Sequence, residues 1–473
     1  MSASRWAPGA QQKRFAAYLK GLARAAGHAD RAVPLESYCT GLLLPGERKS
    51  VEPLAARLAP HDVQRVHQSL HHFVANAPWS DEALLERVRH SILPAMKRNG
   101  PVIAWIVDDT GFVKKGTHSV GVVRQYCGQV GKQENCRIAV SLSLATKQLS
   151  LPIAWRLYLP EIWAKDHKRR KATGVPPEVT FATKPAIALQ QIQRAVEEEV
   201  TKAPVLADAA YGNDSQFREG LRELGLEYVV GVQKSTTVWR SGTAPLPAKR
   251  WKGMGRPPTL LRRDKQHQPV ALKQLAESLP PLAWKNVCWR EGTKQKLRSR
   301  FAALRVRVAH RDYWRSELSA EEWLLMEWPS EESEPTKYWL ATLSANSKLA
   351  DLVKLAKHRW IIERDYEELK QELGLGHYEG RGWRGFHHHG TLCIAAYGFL
   401  VAERSRFSPS ARAGQLDVCA PKIPPDFLPR GTPRTRRAAQ STFDHHTPHP
   451  ACKISAQTAC LLPILLFTPF MTQ

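Results

Sequence analysis

Between Pro101 and Thr110 the chain reads VIAWIVDD, six apolar residues followed by two aspartates. A run with no polar alternation cannot be a strand with one wet face; it needs cover on both faces and belongs in the middle of a sheet flanked by helices. Its two carboxylates then stand at the end of a buried strand, where sheets of this kind build their sites. Two further strand runs follow at hairpin-like distances, RIAVSLSLAT over 137–146 and LPIAWRLYL over 151–159. KPAIALQQIQRAVEEEV has helical spacing, PVLADAAYG is a short strand ending at Asp208, SQFREGLRELG is a second helix and EYVVGVQ another strand. The expected order is β-β-β-α-β-α-β.

The flanks differ in character. Residues 10–98 have helical periodicity throughout, and Ser80, followed by Asp81 and Glu82, is a natural N-cap. From 236 to about 345, alternating runs such as ALRVRVA, WLLMEW and YWLATL read as a mostly β insertion rich in tryptophan. Helical spacing returns at Ser347, breaks near Lys357 and stops at Gly374 and Gly376. Beyond Arg406, Pro, Ser, Thr, Arg and His dominate and little packed structure is expected. The predicted division is a helical region (1–98), an α/β core in two parts (99–235 and 346–405), the insertion (236–345) and a basic Pro-rich tail (406–473).

Lys and Arg number 69 against 44 Asp and Glu, a formal charge of +25. An excess of that size suits a partner that is itself a polyanion, with nucleic acid foremost. Eight scattered cysteines without a CxxC pair read as reduced thiols, and the N-terminus has no continuous apolar stretch of a secretory signal. The apolar run Ala459–Met471 is broken by two prolines and falls short of the roughly 20 residues a membrane span needs. A cytoplasmic protein without a membrane partner is expected.

Asp109 at the end of the first strand, Asp208 at the end of the fourth and Glu363 on a late helix are carboxylates that an α/β fold can bring together. Hard oxygen donors converging on two cations about 3.5–4 Å apart are what two-metal phosphodiester chemistry requires. Arg359, Glu363 and Lys370 fall at i, i+4 and i+11, one helical face on which a carboxylate is flanked by two cations. The same spacing also arises on a surface helix laced with ion pairs.

The segments IVDDTGFVKKG, LADAAYGND and HRWIIERDYEELKQELGLGHYEGR together resemble the bacterial insertion-sequence transposases of the DDE superfamily, in the branch with a Tyr-Arg-Glu-Lys signature. The resemblance spans about 15–405. It implies an RNase H-like core interrupted by the insertion, and Asp109, Asp208 and Glu363 as ligands of two Mg²⁺ ions, with Mn²⁺ a competent substitute. Asp109 is chosen over Asp108 because the family's first aspartate is followed by Thr, here Thr110; in a regular strand Asp108 faces the other way. Arg359 and Lys370 match the signature's Arg and Lys and would contact phosphates, whereas its Tyr position is Ala356. Lys114, Lys115, Arg124 and Lys132 are candidates to hold DNA, and Trp289, beside Arg290, is a candidate to stack on a flipped base. His387, His388 and His389 are consecutive and cannot all face one metal from a helix; a zinc site there, or among His445, His446, His449 and Cys452, is disfavoured.

The function implied is cleavage of transposon ends and strand transfer into a target, by a homodimer on double-stranded DNA carrying terminal inverted repeats. An RNase H-like nuclease that cuts without transfer, and a DNA-binding protein that has lost catalysis, are the alternatives.

Overall fold

Local signals in the sequence are spent first on helices. α1 (Pro8–Ala25), α2 (Ala32–Leu43), α3 (Val51–Leu58), α4 (Val63–Ala75) and α5 (Asp81–Lys97) precede any strand, and the Ser80 hydroxyl accepts the Ala83 amide to start α5. The computed structural model describes residues 8–291, 296–310 and 312–406. The tail and its histidines therefore lie outside the described residues.

The apolar run becomes β1 (Ala104–Val113), with Trp105, Ile106 and Val107 fully buried. Then come β2 (Val123–Cys127), β3 (Lys132–Ala145) and β4 (Ser150–Leu157). β2 was not expected, because its five residues are too short and polar to signal a strand on their own; pairing with the start of β3 makes it one. After two short helices, α6 (Glu161–Ala164) and α7 (His167–Thr173), the chain forms α8 (Lys184–Glu197), β5 (Val205–Ala207), α9 (Ala209–Gly212), α10 (Ser215–Glu223) and β6 (Tyr228–Val232). β1 is antiparallel to β3 on one side and parallel to β5 on the other, and β5 is parallel to β6. That gives a mixed sheet with β1 at its centre.

The β-rich stretch comprises β7 (Thr237–Trp239), β8 (Val270–Ala271), α11 (Leu272–Glu277), β9 (Lys285–Glu291), β10 (Lys296–Val308), β11 (Glu322–Trp328) and β12 (Lys337–Ala341). β12 pairs antiparallel with β6, from Tyr338 opposite Val232 to Ala341 opposite Val229, so these strands extend the same sheet rather than standing apart from it. The unpaired edge of β6 is thereby satisfied.

α12 (Leu349–Lys357) and α13 (Trp360–Gln371) lead to α14 (Trp383–Arg404), whose residues are buried around most of its circumference. A helix apolar on every side must be enclosed. α5, α2 and α4 enclose it on one side and β4 on another. Tyr18 donates to the Ala395 carbonyl at 2.8 Å and Asn99 to that of Ser405 at 2.6 Å, so the leading helices and the sheet share one core. The three histidines of α14 are structural: the His387 ring accepts the Leu157 amide at 3.1 Å, His389 bridges Tyr38 and the Gly374 carbonyl, and His388 stacks on Trp79 with centroids 3.6 Å apart. No helix among the described residues is long and apolar enough to cross a membrane.

Candidate active site

Strand register decides which carboxylates meet. Trp105 lies opposite Val205 and Ile106 opposite Leu206, so two places on Asp108 comes level with Asp208, and residues level in parallel strands share a face. On the other side of β1, Asp108 pairs with Ser141. The Ser141 hydroxyl lies 2.6 Å from the Tyr366 hydroxyl of α13, so α13, which carries Glu363, is laid against the Asp108 face. Buried Asp365 anchors the same helix by accepting bonds from Ser150 and Tyr397.

The helical run breaks at His358, and Arg359 becomes the N-cap of α13 with Glu363 in its first turn. From there Arg359 Nη1 donates to Asp108 Oδ2 at 2.7 Å, while Nη2 stands 3.7 Å from Glu363 Oε1. Burial opposes a charged guanidinium, but Asp108, Asp208 and Glu363 outweigh it and hold the Arg359 pKa above its ordinary value. Burial pushes the Asp108 carboxyl up to about 7, against the pull of Arg359. Glu363 is 68% exposed.

Asp109 points the other way. Its Oδ2 takes an ion pair from Lys184 at 2.8 Å and a hydrogen bond from Tyr211 at 3.3 Å. Of the three carboxylates expected from the sequence, Glu363 stands 3.7 Å from the Arg359 guanidinium and Asp208 close enough for its charge to raise the Arg359 pKa, whereas Asp109 lies on the other face of β1 against Lys184; the β1 carboxylate that meets Arg359 is Asp108.

Asp208 is set by its own local structure. Its Oδ1 accepts the Ala210 amide at 2.9 Å and caps α9. α9 is pressed onto β6 through Gly212 and Gly231: a Cβ on Gly212 would collide with the Gly231 carbonyl oxygen, and one on Gly231 would come 2.9 Å from the Ala209 amide nitrogen. Gly212→Ala is therefore expected to push α9 off the sheet, costing about 1–3 kcal/mol by overpacking and displacing Asp208; urea unfolding and cleavage assays on the variant check both.

The cations divide. Lys115 and Arg124 are exposed. Lys370 instead reaches the Gly111 carbonyl at 3.1 Å, and burial lowers its pKa to about 8. Lys114 donates to the Tyr378 carbonyl at 2.8 Å, an acceptor it shares with Arg137. Lys132 is exposed and 3.8 Å from Glu134. Trp289, half-buried, packs edge-on against Phe301 beneath the Lys357 ammonium and lies against the core. The neighbouring Arg290 lies over the Trp360 ring at 3.9 Å, within reach of the Glu363 charge. Lys184, Tyr211, Tyr366 and Arg290 were not singled out in the sequence. Tyr211 and Tyr366 each follow a candidate carboxylate by three residues, a helical spacing that could have marked them; nothing local marks Lys184.

Among the described residues, no three His, Cys, Asp or Glu side chains stand close enough to hold a metal ion. The donor set nevertheless suits a hard cation. The charges of Asp108, Asp208 and Glu363 all act on Arg359, and every donor they offer is oxygen, the kind a hard cation takes.

A family model for "DDE superfamily endonuclease" matches residues 17–296, a stretch that contains both β1 aspartates and Asp208 and ends before Glu363. The chain is also 32% identical over 190 residues to a Microchaete diplosiphon protein named "Probable transposase for insertion sequence element IS701". That stretch is 40% of this chain and 46% of the relative, so the chain spans less than half the length of the relative it matches.

Proposed function

The chain belongs to the DDE superfamily of endonucleases, and from that membership we propose that it is a transposase, cutting double-stranded DNA at transposon ends and joining the freed ends to a target. The observation that carries this is the ion pair of Arg359 with Asp108, with Glu363 3.7 Å away and Asp208 level with Asp108 at the parallel strand ends of the sheet. The order β4-β3-β1-β5-β6, with β1 central, supports an RNase H-like core.

Asp208, Glu363 and one carboxylate of the Asp108–Asp109 pair would hold two Mg²⁺ ions. When bound, such ions stabilise the attacking and leaving oxygens of an in-line displacement. The protein's own part is placement. β1 and β5 hold two carboxylates level, α13 supplies the third, and Arg359 stands ready for a phosphate oxygen beside them. Arg290, stacked on Trp360, would approach the same strand from the β-rich extension. Lys115, Arg124 and Lys132 would track the backbone beyond the site. The helical region 1–98 would add DNA contacts. Joining two ends calls for two copies, so the active form is a homodimer on DNA.

The test is incubation of the protein and Mg²⁺ or Mn²⁺ with a labelled duplex carrying the sequence that flanks its gene. Nicking at the end followed by joining supports a transposase; nicking without joining indicates a nuclease, and binding alone a DNA-binding protein. Phosphate contacts also predict a salt signature. Lys115→Ala and Arg124→Ala should each weaken duplex binding and reduce the slope of log K against log salt by about 1, read from binding titrations across a salt series.

A further inference from the structure

Between β7 and β8 the chain makes an excursion with a built base and an uncovered tip. At the base Leu246 and Arg262 exchange main-chain hydrogen bonds at 2.8 and 2.9 Å, and the Leu261 amide donates to the Arg315 carbonyl at 2.8 Å. Arg263 donates to Asp312 at 3.0 Å, and Asp312 also accepts the Trp239 indole at 2.6 Å. Arg315 pairs with Glu219 of α10, which ties the base to the helix that follows the Asp208 segment. Beyond it, residues 249–260 are exposed without a break. Lys249, Arg250, Lys252 and Arg256 lie among them and no carboxylate does. Trp251 Nε1 donates to the Gly255 carbonyl at 3.1 Å and closes the tip into a turn. Gly253 and Gly255 have φ of 86° and 72°, where a side chain would be strained, although a Cβ on either would meet nothing within 4 Å. Met254, between them, is 87% exposed.

We propose that this excursion is an arm that enters the minor groove of duplex DNA, with Lys252 and Arg256 in the groove and Met254 wedged between base steps. This rests on the reading of the protein as one that binds duplex DNA. Each part of the tip has a counterpart in the groove. A narrow, A·T-rich minor groove concentrates negative potential and draws Arg and Lys into it. It is only about 6 Å wide, a gap that a turn with glycine on both sides of Met254 can enter and one with branched side chains there cannot. Apolar side chains, methionine among them, are what minor-groove proteins insert to unstack a step and kink the duplex. Pro257 holds Arg256 in an extended conformation, pointing the chain onward along the groove. A major-groove reader would present a helix or a β-ribbon, and residues 247–260 form neither.

The experiment measures affinity by fluorescence anisotropy and bending by energy transfer between dyes at the duplex ends, for the full chain and its Arg256→Ala and Met254→Ala variants. Both side chains are exposed, so each variant should keep the native thermal transition, which is checked first. Three duplexes are compared: flanking DNA with an A·T tract, the same duplex with that tract changed to G·C, and one with inosine·cytosine there, which lacks the amino group that marks G·C in the minor groove. The native protein should bind the A·T and inosine·cytosine duplexes alike and the G·C duplex about tenfold more weakly. Arg256→Ala should bind the A·T duplex about tenfold more weakly and lose most of the preference. The native protein should bend the duplex by about 20–90°, and Met254→Ala should bend it less. If Arg256→Ala keeps the native affinity and preference, if Met254→Ala keeps the native bend, or if inosine·cytosine behaves as G·C, the arm does not read the minor groove and the proposal is overturned. If the native protein binds none of the duplexes, the reading beneath it falls as well.

Discussion

Asp208→Ala is expected to abolish metal-dependent nicking, with a loss of roughly a thousandfold or more, about 4 kcal/mol of transition-state stabilisation, while the variant still binds duplex DNA. The expectation comes from position. Asp208 is one of two carboxylates that the parallel pair β1 and β5 holds level, and it is fixed at the start of α9 by the Ala210 amide and by the Gly212 contact with β6. Removing the carboxylate takes away a donor that neither the neighbouring strand nor exposed Glu363 can replace. Glu363→Gln should behave alike, because a neutral amide keeps the shape and loses the charge. Because Asp208 also caps a helix, its loss could act through α9; a cap is worth only about 1 kcal/mol, too little for a thousandfold effect. Cleavage that survives in both variants, measured on end-labelled duplex, would place the chemistry on other carboxylates.

The second large effect concerns pH. Burial pushes the His388 imidazole down to about 3 and the His389 imidazole down to about 4, and no carboxylate pairs with either ring to offset it: their partners are carbonyls, the Tyr38 hydroxyl and the Cys393 thiol. Both are bases with depressed pKa, so below about 6.5 the unfolded chain takes up protons that the folded one refuses. Their contribution is complete above 6.5 and is lost as pH falls towards 4. At pH 5 each should cost up to about 2 kcal/mol relative to pH 7. Asp108 titrates in the opposite sense, since a raised acid pKa favours the folded state on acidification, so the comparison must cancel it. Between pH 7 and pH 5 the native protein should lose about 2 kcal/mol more than His388→Gln, measured by urea unfolding at both values. Equal losses in the two proteins would mean that folding does not perturb His388, and a smaller loss in the native protein would mean that its two carbonyl neighbours at 3.0 and 2.9 Å hold it protonated in the fold.

Much of the fold was legible. A continuous apolar run announces a strand covered on both faces, and 3.6-residue spacing announces helices. Both signals are local, which is why β1, β3, β4, α8, β6 and the Ser80 cap follow the sequence. β2 escaped because its strand character comes from its partner β3. The place of the β-rich stretch also escaped, because which edge a strand joins is a long-range choice: β12 completes β6 across more than a hundred residues of chain.

At the site, the sequence by itself determined the three carboxylate-bearing segments, their order, and that Asp108 and Asp109 must part, since side chains alternate along a strand. Which of the two faces the late helix was decided only by tertiary structure, because alternation says nothing of what covers each face; here α13 lies over Asp108, and Lys184 of α8 over Asp109. The cations divide for the same reason. Lys115 and Lys370 are alike in sequence terms, but folding leaves one in water and turns the other onto the Gly111 carbonyl. Charge pattern supplies the candidates, and packing decides which of them keep a free hand for a phosphate.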